Sequence, residues 1–172
     1  MKNVLNTLVV TALFSAVAQA TPVTAVSEIN LGEYAGTWYE IASIPPIFQA
    51  GCRCTTANYS ILDNGNVQVK NSCTVASFPI STTGEARVPN PAEPAKLKVR
   101  FFGVADADYW VLKVAPDYSY ALVGTPDRKF VWILSRERTL DNGTFQELSA
   151  TAAEQGFSLE KIRITKQEGC EQ

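Results

Sequence analysis

The sequence predicts an all-β fold with one late helix, arranged as an antiparallel sandwich or a closed barrel. Three features carry that expectation: eight short strand-like segments at regular spacing, turn-forming residues between them, and a strand just before the helix that is apolar on both faces. In residues 37–45, Trp38, Glu40 and Ala42 alternate with Tyr39 and Ile41, and Pro45-Pro46 ends the run. Residues 54–62 form the next strand. Asp63-Asn64-Gly65-Asn66 then turns the chain into residues 67–73, because these residue types tolerate the positive φ of a tight hairpin. A weak strand over 83–88 leads into the proline-rich VPNPAEPA. KLKVRFFG (96–103) alternates cleanly and stops at a glycine, and strands over 108–115, 119–124 and 129–136 follow, joined by turns at PDY and TPDR. In TLDNGTFQELSATAAEQG, Leu140, Phe145, Leu148 and Ala152 recur at helical spacing and Gly156 supplies a stop. Residues 159–165 make a last strand.

The strand at 129–136 favours the barrel. It has Phe130, Trp132 and Leu134 on one face and Val131 and Ile133 on the other, so its outer face needs a cover, which the following helix can provide. An eight-stranded barrel has room for a small ligand.

The first twenty residues read as a secretory signal peptide: Lys2, an apolar run from Leu8 to Val17, and the small-residue site Ala18-Gln19-Ala20. Residues 21–172 are then one domain of ordinary size. Thr21 stands at the new N-terminus, so no lipid anchor is expected and the product is a soluble periplasmic or secreted protein. Export implies an oxidising compartment, and four cysteines fit it. They permit three connectivities, and Cys52 and Cys54 lie too close along a strand to pair with each other. The chain contains no histidine, which removes the commonest general base and disfavours zinc; no metal or cofactor is expected. A net charge of −2 argues against a nucleic-acid partner. Lys96, Lys98 and Arg100 alternate with apolar residues and read as the wet face of a strand.

Three separated motifs, GTWYEIASIP with its Gly36 and Trp38, PDYSYALVG, and FVWILSR ending in Arg136, resemble the conserved blocks of the lipocalins. TWYEIASIPPIFQAGC, TANYSILDNGNVQVKNSC, EPAKLKV and PDRKFVWILSRERTL are similar to the bacterial lipocalin and apolipoprotein D group, and the likeness runs from about Ile29 to Cys170. The resemblance implies an up-and-down eight-stranded barrel, with the helix packed outside and a short final strand. It implies that Arg136 packs over the indole of Trp38 at the closed floor, where Gly36 lets the chain pass. It also implies disulfides Cys54–Cys170 and Cys52–Cys73.

Strand parity and the resemblance together name a lining. Val67, Val69, Leu97, Val99 and Phe101 face inward opposite polar neighbours, as do Trp110, Leu112 and Val114 judged against Lys113. Tyr59, Asn71 and Trp110 match family pocket positions, and Phe48 should sit at the open end. Glu40 points inward and should meet a backbone or cationic partner. The expected function is non-catalytic binding, storage or transport of a fatty acid, lysophospholipid or similar lipid in envelope lipid handling. The protein is expected to be a monomer or weak dimer with peripheral membrane association. A lipid-modifying enzyme and an inhibitor-type protein binder are the alternatives, and no residue pattern positively supports either.

Overall fold

A computed structural model describes residues 21–103 and 106–170, together with the backbone but not the side chain of Phe48. The expected signal peptide lies outside the described residues. Eight strands run up and down: β1 (Gly36–Ile44), β2 (Arg53–Ile61), β3 (Val67–Val75), β4 (Phe78–Arg87), β5 (Lys96–Phe101), β6 (Ala107–Val114), β7 (Tyr120–Gly124) and β8 (Val131–Ser135). Each pairs antiparallel with the next. β1 closes the barrel by pairing with both β8 and β2. Along β1 the pairing with β2 ends at Tyr39–Thr56, and the upper part of the strand instead takes the short β9 (Arg163–Ile164), with Ala42 opposite Ile164.

Up-and-down order sorts the connections to two ends. The β2–β3, β4–β5 and β6–β7 turns and Arg136 form a floor, which the four-residue helix α1 (Leu31–Tyr34) underlies. Asn30 caps that helix by accepting from the Gly32 and Glu33 amides. The remaining connections ring the mouth. Helix α2 (Asn142–Glu154) starts at Asp141, whose carboxylate accepts from the Thr144 amide, and it packs outside the barrel.

Two apolar clusters follow from this arrangement. One fills the barrel and includes Trp38, Tyr59, Val69, Leu97, Val111, Val123 and Leu134. The other lies between the barrel wall and α2, where Leu148 and Ala152 meet Leu122, Val131 and Ile133. The two-sided burial of β8 is thus realised, with Trp132 and Leu134 inward and Val131 and Ile133 under the helix.

β4 is longer than its weak sequence signal. It pairs with β3 from Val75–Phe78 down to Val67–Ala86, so hairpin hydrogen bonding to a neighbour compensates for poor local propensity.

Candidate ligand site: the barrel interior

The floor is built around Trp38, which is fully buried. The Arg136 guanidinium sits 3.9 Å from the indole ring centre. It also donates to the carbonyls of Thr37 (2.9 Å), Glu33 (2.8 Å), Ala35 (2.9 Å) and Tyr118 (3.2 Å). The Trp38 indole donates to the Tyr34 carbonyl at 2.8 Å. One planar cation therefore stacks on the floor tryptophan and satisfies carbonyls of α1 and of two other segments. Gly36 has φ of +97°, and a Cβ there would lie 3.3 Å from the guanidinium, so both conformation and space call for glycine.

Above the floor stand three hydrogen-bonded tyrosines. The Tyr109 hydroxyl meets that of Tyr34 at 2.7 Å and that of Tyr59 at 2.8 Å. Burial pushes the Tyr59 phenol up to about 12, and the negative charge of Glu40 adds to the rise. Burial, reinforced by the neighbouring phenols, likewise holds Tyr34 and Tyr109 well above the ordinary tyrosine range. In the unfolded chain these phenols ionise near pH 10. The stabilisation from keeping them neutral is therefore complete below pH 10 and is lost as the pH climbs towards 12. Tyr59 alone should account for roughly 3 kcal/mol of that loss. In an alkaline titration followed by tyrosinate absorbance, these three phenols should ionise only as the barrel unfolds; full ionisation near pH 10 with the fold intact would contradict the cluster.

Tyr59, Val67, Val69, Leu97 and Val99 come together as expected and line one chamber with Tyr34, Tyr109, Leu31 and Ala86. The tyrosine rings nearly fill it. The remaining space is about 10 Å³, room for a single water. The polar partner that Tyr59 needs is Tyr109 rather than a ligand. Phe101 packs against the same interior cluster, lying so close to β4 that a Cβ on Gly84 would fall 2.6 Å from its ring. Asn71 is half-buried on β3, opposite Ala57 and Thr82 and on the pleat face of Val67 and Val69. Phe48 lies in the 3-10 turn Ile47–Gln49 of the mouth loop, and its side chain is outside the described residues.

Two assignments are corrected: Trp110 and Leu112 do not face the interior. Leu112 belongs to the cluster under α2, and Trp110 packs against that cluster with the Lys96 ammonium 4.5 Å from its ring centre. The cause is a bulge. β6 pairs Val111 with Val123 but Lys113 with Leu122, so Leu112 is an extra residue and shares the outer face with Lys113. Parity counted back from Lys113 is inverted beyond that point. Tyr109 and Val111 are the inward residues instead, while Val114, after the bulge, packs against the interior as expected.

The upper wall of β1 is polar. Glu40 is only 5% exposed. One of its oxygens accepts from the Ser43 hydroxyl at 2.9 Å and from the Thr165 hydroxyl, and the other from the Gln49 amide at 3.1 Å. No cation is within salt-bridge distance of Glu40 among the described residues, so the expected backbone or cationic partner is replaced by two hydroxyls and a carboxamide. The Gln49 carbonyl in turn accepts from the Trp132 indole at 3.4 Å. On the same inner pleat face, the buried hydroxyls of Thr55 and Thr82 have no hydrogen-bond partner among the described residues.

Around the mouth, Ile47 and Phe102 project from two connections and Phe78 from the first position of β4, and they are 92%, 83% and 73% exposed. Disulfides Cys52–Cys73 and Cys54–Cys170 are both formed, the pairing that the family likeness implied. A larger hollow, about 610 Å³, lies outside the barrel against the C-terminal tail. Its lining of Arg53, Lys70, Arg138 and several hydroxyls does not suit an apolar guest.

Residues 29–167 match the family described as a lipocalin-like domain. The chain is 37% identical over 167 residues to the outer membrane lipoprotein Blc of Citrobacter freundii, covering 93% of this chain and 94% of that one. It is 36% identical over 151 residues to temperature-induced lipocalin-1 of Arabidopsis thaliana (83% and 81%) and 39% identical over 151 residues to apolipoprotein D of Mus musculus (82% and 78%). Among solved structures, insecticyanin of Manduca sexta superposes with a TM-score of 0.69 at 25% identity, covering 86% of each chain. The cockroach allergen Per a 4 gives 0.66 at 22% identity, covering 86% of this chain and 94% of that one, a likeness of fold alone. With the closed eight-stranded barrel, the outer helix and the Trp38–Arg136 floor, these matches establish that the chain belongs to the lipocalin family.

Proposed function

We propose that the protein binds an acyl-chain amphiphile such as a fatty acid or lysophospholipid inside the barrel, and stores or carries it in cell-envelope lipid handling without converting it. The observation that carries this reading is the separation of surfaces on one strand. On β5, Leu97, Val99 and Phe101 face an apolar interior while Lys98 and Arg100 form ion pairs on the outside. Burying a chain against such a wall contributes roughly 0.8 kcal/mol per methylene, and no covalent chemistry is needed. Because the tyrosines nearly fill the lower chamber, the guest sits above them and displaces them to the extent that its chain reaches down. The exposed Ile47, Phe78 and Phe102 around the mouth support peripheral contact with a membrane from which the lipid is taken. Two disulfides and the similarity to an outer membrane lipoprotein support a location outside the cytoplasm, reached through cleavage near Ala20.

Titration with a fluorescent fatty acid tests the reading. Val99→Asp puts an unpaired charge in the wall, at a cost of several kcal/mol, and should abolish binding. Lys98→Gln, on the other face, should leave binding nearly intact. Equal losses at both positions would place the lipid outside the barrel. Offering the lipid in vesicles adds a second readout: Phe102→Ser should slow uptake without weakening equilibrium binding, and unchanged uptake would remove the rim from the account.

A further inference from the structure

Among the described residues, no cation lies within salt-bridge distance of the buried Glu40 carboxylate. Glu40 is buried among hydroxyls and a carboxamide, whereas the basic side chains of β5 and β6 are turned outward into ion pairs. Lys98 and Arg100 pair with Asp108 and Asp106, Lys96 with Glu93, and Lys113 with Glu147 on α2. A carboxylate held without a counter-ion seeks strong donors. Two of its three donors, Ser43 and Thr165, belong to β1 and to the tail beside it. The third does not belong to the wall at all. Gln49 comes from the exposed 3-10 turn of the mouth loop and places its carboxamide between Glu40 and the Trp132 indole. A polar group delivered from the mouth thus already donates N–H to this carboxylate beside an aromatic ring.

We propose that Glu40, Gln49 and Trp132 form a head-group subsite that selects amphiphiles ending in a hydrogen-bond donor, above all a primary ammonium, over those ending in a carboxylate. The incoming head group displaces the Gln49 carboxamide and takes over its bond to Glu40. An ammonium gains the charge partner that Glu40 lacks and can lie against the Trp132 ring. A hydroxyl gains the hydrogen bond alone. A carboxylate puts two like charges in one buried site, where they repel. The hydroxyls of Thr55, on the adjoining strand β2, and of Thr82, on β4, have no partner among the described residues and remain for further polar atoms of the guest.

The inference rests on the lipid-binding reading, and one experiment separates their failures. A neutral fluorescent probe bound to the full chain is displaced, at physiological salt, by an alkylamine, an alcohol and a fatty acid of equal chain length. The amine should displace it at a concentration about tenfold or more below that of the acid, with the alcohol between them. Glu40→Gln keeps the shape of the side chain and removes its charge, and should bring amine and acid within about twofold of each other. Gln49→Ala leaves the sheet untouched and removes the competing carboxamide, so amine binding should tighten while acid binding does not. Chains that bind without head-group preference, a preference that survives Glu40→Gln, or a Gln49→Ala variant weakened equally for all three would each overturn the subsite while sparing the carrier. If no chain displaces the probe, both readings fall together.

Discussion

Arg136→Ala is expected to lower the unfolding free energy by about 2–4 kcal/mol, among the largest effects of any single substitution outside the packed interior. The side chain has two roles at once. Its guanidinium lies 3.9 Å from the Trp38 ring centre, a cation–π contact made in a partly desolvated site. It also donates to carbonyls of Glu33, Ala35, Thr37 and Tyr118, fastening α1 and the β6–β7 turn to the start of β1. Without it the indole is uncovered and several carbonyls at the barrel end lose a charged donor. Desolvation draws the guanidinium below the ordinary arginine value. Arg136→Lys should recover only part of the loss, because an ammonium cannot serve the ring and the fork of carbonyls together. Chemical denaturation reads both variants, and a midpoint unchanged in Arg136→Ala would remove the floor from the stability account. Ligand preference should not shift, since the guanidinium lies below the closed end.

Removing the Cys54–Cys170 bridge by a Cys54→Ser, Cys170→Ser double substitution should cost about 5 kcal/mol, and the Cys52–Cys73 bridge about 3 kcal/mol. The ordering follows from the loops that the bridges close in the unfolded chain. The first joins residues 116 apart and the second residues 21 apart, and the lost chain entropy grows with the logarithm of that span. The longer bridge also holds the tail whose Gln167 amide donates to the carbonyls of Glu40 (3.0 Å) and Thr55 (2.8 Å), bridging the gap where β1 and β2 part. Its loss should therefore raise amide exchange along the upper half of β1 as well as lower the midpoint. Comparable costs for the two bridges, with no local change in exchange, would mean that the tail is held by its other contacts.

Much of the architecture was legible because burial writes itself onto alternation. β5 shows it most clearly: three apolar residues separated by Lys98 and Arg100 left only one way for the strand to face. β8 declared its two-sided burial in the same manner, and the helix that covers it followed directly. β6 misled for the same reason. A bulge adds one residue to a strand without leaving a residue type to mark it, and an outward lysine beside an outward leucine looks like ordinary alternation until the partner strand is known. Trp110 and Leu112 were misplaced together by that single step, and Tyr109 and Val111 were overlooked with them. The short α1 escaped because four residues hold barely one turn, too few for a helical period to appear. The tyrosine trio and the Glu40 cluster escaped for another reason: their members come from segments far apart in the chain, and only closure of the sheet brings them together.

That closure has a consequence for how the chain reaches its fold. Seven of the eight pairings around the barrel join a strand to its immediate successor and can form as hairpins while the rest of the chain is still loose. The eighth, β1 with β8, sets Tyr39 against Ser135 and must wait for everything between them. Until then both strands present open edges, and β8 already carries Trp132, Ile133 and Leu134 with neither the barrel interior nor the helix yet in place to cover them. Long-range closure of this kind belongs to the slow end of folding, milliseconds to seconds rather than microseconds. The half-wound sheet is thus the most aggregation-prone species this chain passes through, and the step that ends its exposure is the ring snapping shut at β1.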